Sequence, residues 1–133
     1  MTYVVDASVA ASWLLPDGHH AVAELALART EEDTPTAPWL LWFELRAILI
    51  VAERRGRLQA HKTEEALLRL SKLSIAFDDA PDELATIALA RRHRLTVYDA
   101  AYLELALRNA IPLATLDMAL AGAARSEGVS LIE

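Results

Sequence analysis

The sequence predicts an α/β fold, a central parallel β-sheet flanked by helices, and three observations carry that expectation. Short apolar stretches alternate with longer helical ones along the whole chain, with no internal repeat or low-complexity segment. Such alternation joins parallel strands through helical crossovers that cover both faces of the sheet. At 133 residues the chain has the size of one domain, so residues 1–133 are expected to share a single core. Hydrophobic residues make up 54% of the chain and charged ones 24%, with Ala and Leu prominent, which favours closely packed helices over disorder.

Each element has a local reason. Thr2 to Val5 reads as a buried strand ending at Asp6. Ser8 can cap a helix through Leu15, stopped by Pro16-Asp17-Gly18, and a second helix runs from about His19 to Arg29. Glu31 to Pro38 is a loop holding one short strand. Pro38 suits the first turn of a long helix to about Arg55, closed by Gly56, with Arg54 and Arg55 at its negative end. A further helix covers Ala60 to Leu73, and Ser74 to Phe77 reads as a strand. Pro81-Asp82-Glu83 opens a helix through His93, with acids in its first turn, whereas Leu95 to Val97 is too short to assign. Asp99 starts a helix to Asn109, Leu113 to Thr115 is a strand, Asp117 starts a helix to Glu127, and Val129 to Ile132 is a final strand.

Composition then removes whole classes of chemistry. With no cysteine there is no disulfide framework, thiolate nucleophile or Cys-ligated zinc, so any metal must sit on oxygen or imidazole. The start Met1-Thr2-Tyr3-Val4-Val5-Asp6 lacks the pattern of a signal peptide, and a cytoplasmic location is expected. Pro38 to Ala52, the longest apolar stretch, contains Glu44 and Arg46 and is shorter than the roughly 20 residues that span a bilayer, so no membrane association is expected. A formal net charge of -6 argues against binding nucleic acid by phosphate neutralisation alone, which needs a broad Lys/Arg surface. It leaves room for an enzyme that reaches phosphate through metal ions.

Four acids stand out. In an open parallel sheet, ligands bind beyond the carboxyl ends of the strands. Asp6 and Asp117 each follow a short apolar strand and precede a helix, and Asp99 opens a helix in the same way. Glu44 lies with Leu40, Leu41 and Ile48 on the apolar side of its helix, so a cation or metal is expected beside it, since a buried carboxylate is rarely unpartnered. Taken singly, Asp6, Asp99 and Asp117 also read as caps or turn formers, and Glu44 as the partner of a core Arg. Taken together, they are the oxygen donors that Mg²⁺ or Mn²⁺ prefers.

The ordering resembles the PIN domain of bacterial VapC toxins: V-V-D-A-S at Val4 to Ser8, Glu44 in a long helix, Y-D-A-A-Y-L-E-L-A at Tyr98 to Ala106, and P-L-A-T-L-D at Pro112 to Asp117. The likeness spans essentially the whole chain and implies a PIN-like three-layer fold. It also implies an endoribonuclease whose acids bind divalent metal, with RNA as substrate, a homodimeric state, and a VapB-like antitoxin as partner. On that reading Asp6, Asp99 and Asp117 ligate one or two Mg²⁺ or Mn²⁺ ions, and Glu44 ligates or orients a water that attacks phosphate in line. Ser8 and Thr115, two positions from Asp6 and Asp117, are placed to hydrogen-bond a carboxylate or a water at the ion.

Arg46, Arg54, Arg55 and Arg57 follow Glu44 and are the candidate RNA contacts, although cations at a helix end also favour the macrodipole. Trp13, Trp39 and Trp42 read as core or subunit contacts, and His19, His20, His61 and His93 as solvated surface. Two rivals remain. An aspartyl-phosphate phosphatase would use Asp6 as nucleophile, but Ser8 stands where a second acid is usual. A noncatalytic binding module would use the acids to grip a basic partner.

Overall fold

The computed structural model describes residues 1–133. Four parallel strands, β1 (Thr2–Val5), β2 (Thr34–Pro38), β3 (Ala76–Asp78) and β4 (Leu113–Ala114), lie in the order β3-β2-β1-β4. Seven helices flank them: α1 (Ala7–Leu14), α2 (Ala21–Arg29), α3 (Leu40–Arg54), α4 (Ala60–Lys72), α5 (Glu83–His93), α6 (Val97–Asn109) and α7 (Met118–Ser126). One group packs α1 against α2, α3 and α4, and another packs α6 against α5 and α7. The predicted parallel α/β architecture is therefore the observed one.

Strand β1 is buried along Tyr3, Val4 and Val5, and β4 along both of its residues, as expected for strands covered on both faces. The chain builds outward from β1 through β2 to β3, then returns to place β4 on the other side of β1. That reversal makes the β1–β4 boundary the switch point, where the connections leave a crevice at the carboxyl ends of the strands. Val5 pairs with Ala114, so the residues that follow each strand emerge side by side.

Several boundaries differ from expectation. Asp6, not Ser8, caps α1, accepting the Val9 N–H at 3.0 Å. Pro38 ends β2 rather than starting α3, because its carbonyl-side neighbour Trp39 takes the cap position and β2 pairs through Pro38 to Asp78. Ser74 adopts a left-handed backbone with φ of 52°, which delays β3 to Ala76. Thr96 caps α6, accepting the Asp99 N–H at 3.1 Å, so Asp99 is the third residue of that helix rather than its start. The expected final strand contracts to one bridge, Leu113 with Leu131, although Ser130 and Leu113 carbonyls still accept backbone N–H groups across it.

Helix α3 buries Leu41, Leu45, Leu49 and Ala52 and leaves Phe43, Ile50 and Val51 exposed. It is a one-sided helix, and no helix of the chain is long and apolar enough to cross a membrane. Gly56, at φ of 70°, turns the chain out of it in the conformation that glycine adopts without a Cβ penalty.

Candidate active site

Asp6 is set at the crevice by its position after β1, where its N–H donates to the Ala114 carbonyl of β4. Its side chain is 4% exposed, yet each oxygen is satisfied. Ser8 Oγ donates to Oδ1 at 2.6 Å beside the Val9 N–H, and Thr115 Oγ1 donates to Oδ2. The two hydroxyl oxygens are fixed in turn, accepting the N–H groups of Leu116 at 2.9 Å and Asp117 at 3.0 Å. A closed set of donors thus locks the β1 and β4 exits together around one carboxylate. Burial lifts the Asp6 carboxyl above its ordinary range, the donors from Ser8, Thr115 and Val9 work against that rise, and Asp117 adds to it.

Asp117 caps α7 by accepting the Leu120 N–H at 2.9 Å. Its capping role and its place in the crevice coincide, since a βα seam puts the cap at the strand exit. Asp99 is half-buried in the first turn of α6, and its carboxyl is raised by burial and then by Asp117. Glu44, in the second turn of α3, is half-buried and raised by burial first, against a hydrogen bond from Tyr102, with Asp99 and Asp6 adding to the rise. The partner expected beside Glu44 was a cation or a metal; the protein group found there is the Tyr102 hydroxyl, which donates to Oε1.

Asp6 and Asp99 therefore each lie within Coulombic reach of both Glu44 and Asp117. None of them forms an ion pair with Arg, Lys or His, although the chain makes nine ion pairs elsewhere. Like charges gathered in a partly desolvated crevice without a countercharge disfavour their own ionisation, and an all-oxygen donor set of this kind suits a hard divalent cation. In kind, as oxygen donors, the residues suit such an ion. The side chains do not close into a ready-made cluster of three ligands.

The candidate RNA contacts are spread along α3 and the turn after it. Arg46 stacks on the Trp42 ring at 4.0 Å and donates to the Trp42 carbonyl at 3.2 Å. Arg54 and Arg55 lie at the far end of α3, about 15 Å along the helix from Glu44 at 1.5 Å per residue. Arg57 pairs with Asp17 at 2.5 Å. Trp39 stacks with Trp42 at 6.3 Å, and half-buried Trp13 donates to the Ala23 carbonyl at 2.8 Å. His19, His20 and His61 are exposed, whereas His93 is held by Glu127 at 2.6 Å rather than lying free in solvent.

Two residues of the Tyr98 to Ala106 motif carried no individual role in the sequence. Tyr102 lies three positions after Asp99, hence on the same helical face, and that spacing was the available signal. Glu104 is 2% exposed, paired with Arg108 at 2.7 Å, and accepts the Asp82 N–H at 3.2 Å. Arg108 also grips both oxygens of Asp78, at 3.0 and 2.7 Å. This group ties α6 to the end of β3, and its i,i+4 spacing could have revealed it.

The model of the PIN domain family matches residues 3–126. Ribonuclease VapC3 of Pyrobaculum aerophilum is 35% identical over 124 residues, covering 91% of this chain and 93% of that protein. The crystal structure of PAE2754 from Pyrobaculum aerophilum superposes with a TM-score of 0.71 at 24% identity, covering 99% of this chain and 92% of that one, which is a likeness of fold. The chain thus belongs to the PIN domain family, in its VapC group.

Proposed function

We propose that this protein is a metal-dependent endoribonuclease, the toxin of a toxin-antitoxin pair, that hydrolyses RNA phosphodiester bonds. The observation that carries the reading is the uncompensated quartet Asp6, Glu44, Asp99 and Asp117 at the switch point of the sheet. Kinship with a ribonuclease supplies the substrate class.

Asp6, Asp99 and Asp117 would hold Mg²⁺ or Mn²⁺, with Glu44 completing the set. Once bound, a divalent cation would neutralise charge on the phosphate and lower the cost of generating hydroxide at neutral pH. The chain's own contribution is orientation. Ser8, Thr115 and the Val9 N–H hold Asp6 in one rotamer, so its geometry is set before any ligand arrives. Glu44, held through one oxygen by Tyr102, would accept a proton from a water aligned with the scissile bond. Asp6 itself is a poor nucleophile, with both oxygens engaged and little exposure, which weighs against a phosphoaspartate route.

A VapB-like antitoxin and a second copy of the chain are the proposed partners. Support for a homodimer comes from the exposed Trp39, Phe43, Ile50 and Val51 on and beside α3. The deciding experiment sets purified protein against total RNA with Mg²⁺, Mn²⁺ or EDTA, beside an Asp6→Asn variant prepared identically. Cleavage with metal, lost in EDTA and in the variant, is expected. Equal cleavage by both proteins, or none by the wild type under any metal, refutes the assignment, and the second result favours a noncatalytic binding module.

A further inference from the structure

Tyr102 is 1% exposed, and its hydroxyl makes one hydrogen bond, to Glu44 Oε1 on a helix 58 residues away in sequence. The other fully buried tyrosine, Tyr3, satisfies its hydroxyl on a backbone carbonyl, that of Ala26, at 2.6 Å. A core phenol needs only some acceptor, and a carbonyl is the common one. Tyr102 instead takes an acid of the quartet. Glu44 has no other hydrogen bond and no cation, so this single contact orients it, leaving Oε2 free. Because Tyr102 shares a face of α6 with Asp99, the contact also couples the position of Glu44 to the helix that carries another acid.

We propose that Tyr102 is a positioning residue for the acid quartet: its hydroxyl holds Glu44 in the rotamer that faces Asp6 and Asp99, just as Ser8 and Thr115 hold Asp6. The proposal rests on the functional reading above. It gives the site two oriented carboxylates, one at the β1 exit and one on α3. Groups that orient metal-binding carboxylates are commonly worth about 10–100-fold in metal affinity or activity.

The test is a double-mutant cycle of Tyr102→Phe and Glu44→Gln, read in two ways besides folding. Mn²⁺ titrations followed by electron paramagnetic resonance measure affinity without any RNA, and steady-state cleavage separates kcat from KM. Tyr102→Phe keeps the ring in the core, and near-ultraviolet circular dichroism with a thermal melt checks that the fold persists. The expected result is Mn²⁺ binding weaker by about 10-fold or more, a similar fall in kcat, and KM for RNA changed less than about twofold. In the Glu44→Gln background the tyrosine change should cost little further. Mn²⁺ affinity and kcat within about twofold of wild type in folded Tyr102→Phe, or losses fully additive with Glu44→Gln, overturn the proposal. Wild-type protein that binds no Mn²⁺ overturns the functional reading and this inference together, whereas a metal-dependent wild type with an unaltered Tyr102→Phe overturns this inference alone.

Discussion

Replacing Thr115 with valine keeps the shape of the side chain and deletes a hydroxyl that serves two partners. Thr115 Oγ1 donates to Asp6 Oδ2 and accepts the Asp117 N–H at 3.0 Å, and Thr115 is itself buried. The substitution leaves a charged acceptor short of one donor and a backbone N–H short of its acceptor, without opening a cavity. A hydrogen bond to a charged group contributes about 1.5–3 kcal/mol and a neutral one about 0.5–1.5, so the expected loss is about 2–4 kcal/mol. Unfolding entropy of about 2.1 cal/mol/K per residue makes each kcal/mol worth roughly 3.6 °C for a chain of 133 residues. A thermal melt in EDTA at neutral pH should therefore show Tm lowered by about 7–14 °C.

The pH dependence sharpens the test. Burial holds the folded pKa of Asp6 above its unfolded value, and losing Thr115 raises it further. Between the unfolded and folded values the native state binds more protons, so stability falls as pH rises through that window, and falls further in the variant. Below the unfolded value Asp6 is protonated in both states and the charge-assisted part of the difference vanishes. A Tm difference under about 2 °C, or one that stays constant from neutral to acidic pH, would refute the account of Asp6 as a desolvated carboxylate held by hydroxyl donors.

Other expectations follow from the same geometry. Mn²⁺ at 100 times its dissociation constant should stabilise the fold by about 2.7 kcal/mol in a thermal melt. That gain should shrink as pH falls, because the raised carboxyls of Asp6, Glu44 and Asp99 take up protons before ordinary acids do. Asp99→Asn should raise Tm in EDTA while abolishing metal-dependent cleavage, since it removes one of several repelling charges; a destabilised variant would count against the repulsion. Arg108→Ala should cost about 3–5 kcal/mol in urea unfolding, because it strands Glu104 and frees Asp78, and pairing it with Glu104→Gln should recover much of the loss.

The positions of the acids were legible because a βα seam leaves a local signature. An apolar run followed by Asp and then a helix marks Asp6 and Asp117 without knowledge of the rest of the chain. The start of α3 was misread because Pro38 fits a helical first turn as well as a strand end, and β2 with prolines at 35 and 38 carries little strand propensity. Only its pairing with β1 and β3 makes it a strand. Likewise Thr96 and Asp99 are both good caps, and which one wins depends on where α6 meets the sheet.

Local patterning thus determined by itself that strands and helices alternate, that the sheet is parallel, and that carboxylates end two of its strands, since each is a matter of periodicity and capping within a few residues. The order β3-β2-β1-β4, the Thr115 donor that closes on Asp6, the phenol that holds Glu44 and the ion pair that neutralises Glu104 were decided by the tertiary structure. The Thr115 and Tyr102 contacts join residues brought together by strand pairing and helix packing, and the Glu104–Arg108 pair is selected among equivalent i,i+4 pairs by burial, which no local pattern encodes.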